Sequence, residues 1–231
     1  MKNFFSILFV LLAFVTLIGL GSWQVQRLGW KSEIIRKLDQ EYAKDAKKTF
    51  YRFEDLQSTD DLPILYGSIR GRFDYDKEIL VGPKPLNGDI GYLVITPMAL
   101  SGGGYVLVNR GWISQDNKDD INKTHKKGNM VATGIFRKSD WNRFTPNNSP
   151  ENNIWTKLDI TEIAAEKKIK SISPLMLYAQ ASEKAADILI PENEKWYPRN
   201  KHKQYAVFWF TMAGVLVVLF GLIRRKKKKS S

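Results

Sequence analysis

Residues 4–23 read FFSILFVLLAFVTLIGLGSW and pass without interruption into QVQRLGWK at 24–31. The first of these stretches carries no charge. A hydrocarbon core about 30 Å thick takes roughly 20 apolar residues of helix, and the run reaches that length. A second uncharged run, Tyr205 to Ile223, ends on Arg224, Arg225 and Lys226 to Lys229. Reading both runs as membrane spans sets the organisation of the chain. It predicts a first transmembrane helix over 1–23, a juxtamembrane amphipathic helix over 24–45, a central domain over 46–199, a second transmembrane helix with its interfacial entrance over 200–223, and a basic tail over 224–231. The competing reading of the first run is a cleaved signal peptide, since Lys2 precedes it and Gly19-Leu20-Gly21 offers small residues. Signal h-regions are shorter, about 7 to 15 residues.

Charge and composition narrow the partners. The 231 residues include no cysteine, which leaves His, Met, Tyr and carboxylates as the groups able to touch a metal or a haem. The net charge of +12 resembles a nucleic-acid signature until it is divided by region. Seven basic residues lie at the extremities, leaving 29 basic against 24 acidic residues between them. The centre is only mildly basic, so nucleic acid is not an expected partner. The basic tail belongs on the cytoplasmic side by the positive-inside rule. Two spans then place both termini in the cytoplasm and the central domain in the opposite compartment.

The ends of the two spans carry the candidate binding residues. Trp23 stands where the hydrocarbon ends, and Arg27 and Lys31 can lay their stems along the interface with their charges in water. On a continuing helix Trp23, Arg27 and Trp30 share a face, while Ile34, Ile35 and Leu38 extend an apolar stripe. Anchoring accounts for Trp23 and Arg27 but gives no particular role to Gln24 and Gln26. The second entrance, from Trp196 to Phe210, has Pro198 ahead of an aromatic first two turns. His202, Tyr205, Ala206 and Trp209 share one helical face there. If the spans pack together, Trp23 and Arg27 come near His202 and Trp209. A histidine in that setting is either an interfacial anchor or a ligand.

Between the spans the pattern is strand-rich. Ile64–Phe73, Lys77–Val81, Gly91–Leu100, Gly104–Ile113, Val131–Arg137 and Leu175–Gln180 read as strands, with hairpin turns at Ser101–Gly103 and Asn87–Asp89. Residues 117–129 and 142–153 read as polar loops, with His125 exposed in the first. Ile160–Lys168 reads as a short helix capped by Asp159 or Thr161. Too few helices separate the strands for a doubly wound sheet, so the expected fold is a mainly β extracytoplasmic domain, an antiparallel barrel or sandwich with one short helix, between two transmembrane α-helices. Phosphate-binding loops, zinc-protease helices and nucleophile elbows are missing from the sequence, and the adjacent pairs Asp60-Asp61 and Asp119-Asp120 fall in polar loops that supply no shielded acid or base. No enzymatic activity is expected. Arg110, in Asn109-Arg110-Gly111-Trp112, reads either as a structural ion pair or as a partner for an anionic ligand group.

Taken in order, GSWQVQRLGWK (21–31), GRF (71–73), NGDIGY (87–92) with Thr96-Pro97, VNRGW (108–112) and NKHKQYAVFWF (200–210) resemble the surfeit locus protein 1 family of cytochrome c oxidase assembly factors. Lys203 and Ser114 depart from that family's usual residues. The resemblance implies a membrane protein that assists maturation of the oxidase, with haem a as a transiently bound cargo delivered to the main oxidase subunit. It implies haem a synthesis or delivery proteins and the lipid bilayer as further partners, and a scaffold that binds no haem as the alternative. His202 matches the histidine proposed as the haem iron ligand, so it is both the metal and the cofactor candidate, with Tyr205, Trp209, Trp23 and Arg27 around the macrocycle. No Arg- and Ser-rich presequence stands before Phe4, which favours a bacterial inner membrane with the domain in the periplasm.

Overall fold

A computed structural model of the protein describes residues 2–57, 64–139, 141–142, 144–152, 154–180, 188–191 and 195–229. The chain divides into two compact units, Met1–Lys37 with Trp196–Ser231, and Leu38–Lys195. The expected Asp60-Asp61 pair lies outside the described residues.

The first unit is a pair of helices. Helix α1 (Lys2–Tyr42) runs unbroken through the apolar segment and into the polar one, with its last turn in the second unit. Helix α3 (His202–Lys229) begins at the second entrance and continues through the basic tail. Both are long and apolar enough to cross a membrane. Phe9, Leu12 and Val15 on α1, and Val218, Leu222 and Ile223 on α3, are exposed, an arrangement that lipid tolerates and water penalises. The inward stripe is made of small and polar residues: Gly21 and Gln24 on α1, Ala206 and Ala213 on α3. Small residues let helix backbones approach. A Cβ on Gly21 would stand 2.6 Å from the Phe210 ring, so glycine is what lets that ring lie against α1.

The second unit holds one six-stranded sheet and the short helix. Its strands are β1 (Leu65–Phe73), β2 (Ile79–Leu86), β3 (Asp89–Leu100), β4 (Tyr105–Ser114), β5 (Met130–Arg137) and β6 (Met176–Ala179). They are ordered β1-β5-β6-β4-β3-β2, and β1 also pairs with β3 where Gly71, Arg72 and Phe73 meet Leu100, Ala99 and Met98. The β-rich domain with a helix between two long helices is as expected. The sheet, however, is mixed and not purely antiparallel, because β6 lies parallel to β4 at Val108–Leu177 and Asn109–Tyr178. The reason is geometric: β6 inserts between β4 and β5, which run in opposite directions, and can be antiparallel only to one, β5.

Period-two patterning sorts the faces. Ile69, Met98, Leu100, Val106, Val108, Ala132, Phe136 and Leu177 are buried in one cluster with Leu56 and Leu175. The register brings them together, since Ile69 faces Ala132, Met98 faces Val106, and Leu177 sits between Val108 and Phe136. Helix α2 (Ile160–Glu166) is capped by Asp159, whose carboxylate accepts from the amides of Thr161 at 3.0 Å and Glu162 at 3.1 Å. The cap satisfies two amides that a helix start leaves without partners. Residues 115–124 form a 3-10 helix instead of the loop expected there, opened by Ser114, whose hydroxyl accepts from the Asn117 amide. Phe136 is fully buried and makes an edge contact with Tyr51. Phe136→Ala is expected to lower stability by about 3–5 kcal/mol, read as the shift in urea midpoint of the detergent-solubilised chain; a loss below about 1 kcal/mol would contradict this core assignment.

Candidate functional site

His202 occupies the first helical position of α3, four residues after Pro198, which cannot continue a helix and so marks the boundary. The Lys201 carbonyl accepts from the Gln204 and Tyr205 amides and starts the helical ladder. Two contacts within the first unit hold this entrance. The Lys31 ammonium donates to the Arg199 carbonyl at 3.2 Å, and the Asn200 amide donates to the Ser32 hydroxyl at 3.4 Å.

The His202 ring meets Gln24. Its Nδ1 lies 2.6 Å from Gln24 Oε1, and Gln24 is only 8% exposed. His202, Ala206, Trp209 and Ala213 follow the i, i+4, i+7, i+11 spacing of one helix face, on which the alanines are buried and His202 and Trp209 half-buried. Trp209 turns its edge to Phe208, with ring centres 5.2 Å apart. The remaining candidates lie elsewhere on the helices. Tyr205 is exposed on the flank of that face. Trp23 and Arg27 are exposed on α1, and the Arg27 guanidinium stands 4.9 Å from the centre of the Trp30 ring. Among the described residues no hydrogen bond, ion pair or ring contact joins Trp23 or Arg27 to His202. Gln24 is the residue that sequence reasoning left without a role. Its signal was position: it falls three residues after Gly21, on the stripe that α1 buries.

The second unit contains a separate polar cluster around Glu78. Arg110 arrives there through a β-bulge. In the β3–β4 ladder Val94 pairs with Gly111 and Ile95 with Asn109, leaving Arg110 as the extra residue. A bulge redirects its side chain. Gly111 sits at φ +131°, a conformation open mainly to glycine, and a Cβ there would also come within 2.5 Å of the Ile190 carbonyl oxygen. The Asn109 side-chain oxygen accepts from the Gly111 amide at 3.0 Å and stabilises the turn.

Arg110 then bonds Glu78 Oε2 at 2.7 Å, the Thr124 carbonyl at 2.9 Å and the Thr124 hydroxyl at 2.8 Å. The Thr96 hydroxyl also donates to Glu78. His125 Nε2 approaches the other Glu78 oxygen at 2.9 Å, and its ring stacks on Tyr75 with centres 3.9 Å apart. His125 is therefore a part of this cluster and not the exposed loop residue expected. Tyr75 and Phe73 rings lie 5.2 and 5.5 Å from the Arg110 guanidinium. Of the two readings of Arg110, the ion pair is the one present, with the Arg110 and Glu78 side chains 10% and 7% exposed. A groove of about 930 Å³ opens beside it, lined by Tyr42, Phe50, Tyr66 and Met130 among others. Near this cluster the Lys77 ammonium is held above the ordinary lysine pKa by its hydrogen bond to Asp74. Removing one member of a buried pair leaves the other charge without compensation. Glu78→Ala is expected to destabilise the chain by about 3–5 kcal/mol in urea unfolding; a loss under about 1 kcal/mol would show that water already solvates Arg110.

Comparison with known proteins agrees with the order of these elements. The model of the SURF1 family matches residues 11–214, which takes in most of α1, the whole sheet and half of α3. A SURF1-like protein of Rickettsia felis is 30% identical over 224 residues, covering 94% of this chain and 96% of that protein. A SURF1-like protein of Rickettsia bellii is 29% identical, covering 94% of this chain and 89% of its own length. Surfeit locus protein 1 of Mus musculus is 28% identical, covering 92% and 73%. With two candidate membrane helices around a mixed sheet, and a family match across most of its length, the chain belongs to the SURF1 family.

Proposed function

We propose that the protein is a membrane-bound assembly factor for cytochrome c oxidase that holds haem a through His202 and passes it to the main oxidase subunit. The observation that carries this reading is the state of the His202 ring. Nδ1 is engaged by Gln24, and among the described residues Nε2 has no hydrogen-bond partner, so a half-buried imidazole nitrogen is left to meet a metal. A neutral imidazole is a suitable axial ligand for haem iron. Trp209, about two helical turns beyond His202 along α3, offers an apolar ring on the same face. Tyr205 lies beside that face, and Trp23 and Arg27 stand on the exposed side of α1, where a macrocycle reaching beyond the helix pair would meet them.

Haem a is here a cargo, and cargo must leave. One imidazole contact on an otherwise apolar face suits release better than a closed pair of histidines, and the other histidine, His125, is already committed to Glu78 and Tyr75. Arg110 is committed in the same way, so a propionate partner is better sought at Arg27. No catalytic role is assigned to any residue. The basic end of α3 supports a topology with both termini in the cytoplasm and the central unit in the periplasm of a bacterial inner membrane. Haem a synthesis or delivery proteins would load the site from within that membrane.

The exposure of Trp23, Trp30 and Tyr205 favours a second reading, in which these rings contact oxidase subunits and the protein stabilises assembly intermediates without haem. Purification from cells that make haem a separates the two. The wild-type chain is expected to carry haem a in its absorption spectrum and pyridine haemochrome, and His202→Ala to lose it or shift its bands. Absence of haem from both, in cells whose oxidase matures normally, would leave the scaffold reading.

A further inference from the structure

Gln24 is a polar side chain buried on the stripe that α1 turns toward α3, and burying an amide costs free energy unless it is hydrogen-bonded. Its oxygen is spent on one partner, His202 Nδ1 at 2.6 Å. An amide oxygen has lone pairs and no hydrogen, so it can only accept. The hydrogen in this bond therefore belongs to the imidazole, and it sits on Nδ1. In a neutral ring the other nitrogen then carries the lone pair. An unconstrained histidine side chain exchanges this hydrogen between its two nitrogens and rotates about its own bonds. The contact with Gln24 removes both freedoms, because reaching the amide fixes the ring and accepting from it fixes the tautomer.

We propose that Gln24 is the positioning residue for His202: from the neighbouring helix it holds the imidazole in the Nδ1–H form, with Nε2 presented as the iron-binding nitrogen. The inference rests on the haem reading above for the identity of the metal, while the tautomer itself does not depend on it. Metal-bound histidines commonly donate their second nitrogen to an acceptor that orients the ring, and loss of such an acceptor typically weakens metal binding about 10–100-fold. Gln24 would be that acceptor. Gly21, one turn earlier, is the residue that lets α3 come near enough for the contact.

The test uses the full chain in detergent, and the presence of two histidines keeps its spectra simple. Nitrogen-15 correlation spectra of the haem-free protein, recorded near pH 8 where an ordinary histidine with a pKa of about 6.5 is neutral, report which ring nitrogen carries the hydrogen. Assignment follows from His125→Ala. His202 is expected as the Nδ1–H tautomer in the wild type and in Gln24→Glu, which keeps an acceptor oxygen, and as a mixture or the Nε2–H form in Gln24→Leu. Titration with haem a, followed by absorption, is expected to give about 10–100-fold weaker binding for Gln24→Leu, with recovery in Gln24→Glu. An unchanged tautomer in Gln24→Leu, or haem binding in Gln24→Leu equal to that of the wild type, overturns the role of Gln24. Haem binding unaffected by His202→Ala overturns the haem reading instead, and the tautomer spectra still decide whether Gln24 orients the ring.

Discussion

A glutamine amide and an imidazole that meet inside an apolar helix pair must satisfy each other, and the first unit is arranged around that requirement. Burying the Gln24 amide costs free energy unless it is hydrogen-bonded, so the 2.6 Å contact ties α1 to the start of α3. The contact is possible because the stripe between the helices is built from small side chains, Gly21, Ala206 and Ala213, with the Phe210 ring lying against Gly21. The Lys31–Arg199 and Ser32–Asn200 bonds extend the same seam at its polar end. A histidine held this way has one nitrogen occupied and one available, which is the property the proposed haem handover needs.

The second unit uses its polar residues differently. Glu78 gathers Arg110, Thr96 and His125 about one carboxylate, and Tyr75 covers the histidine ring. Such a cluster spends its charge internally. The NRGW segment that looks like a ligand motif is explained by the chain's own needs: Asn109 and Gly111 make the bulge, Arg110 closes the ion pair, and the Trp112 indole donates to the Lys84 carbonyl at 2.7 Å. The His125 ring is paired with Glu78 through Nε2 and stacked on Tyr75, whereas the His202 ring is held through Nδ1 by Gln24.

Much of this was legible in the residues. Unbroken apolar length marked both long helices, β-branched and aromatic runs marked the strands, and Asp159 marked the start of α2. Other features depend on neighbours distant in sequence. The parallel placement of β6 follows from its insertion between β4 and β5, which no local pattern reveals. His125 looked like a loop residue because the ring and carboxylate that hold it lie 50 and 47 positions earlier, at Tyr75 and Glu78. On α1 the Trp23-Arg27-Trp30 face drew attention because aromatic and basic residues favour membrane boundaries. The face turned toward α3 is the one with Gly21 and Gln24, since small and hydrogen-bonding residues are what helix pairs bury. The size of a side chain was a poorer guide to the face that α1 buries than its ability to be buried with a partner.

The central claim is that His202, set by Gln24, is the iron contact. Resonance Raman spectroscopy of the reduced haem-loaded protein addresses it directly, because an iron–imidazole stretch shifts when histidine nitrogen is replaced by its heavier isotope. The account predicts a band that shifts on labelling, persists in His125→Ala and is lost in His202→Ala. A band that survives in His202→Ala, or that disappears in His125→Ala, would contradict it.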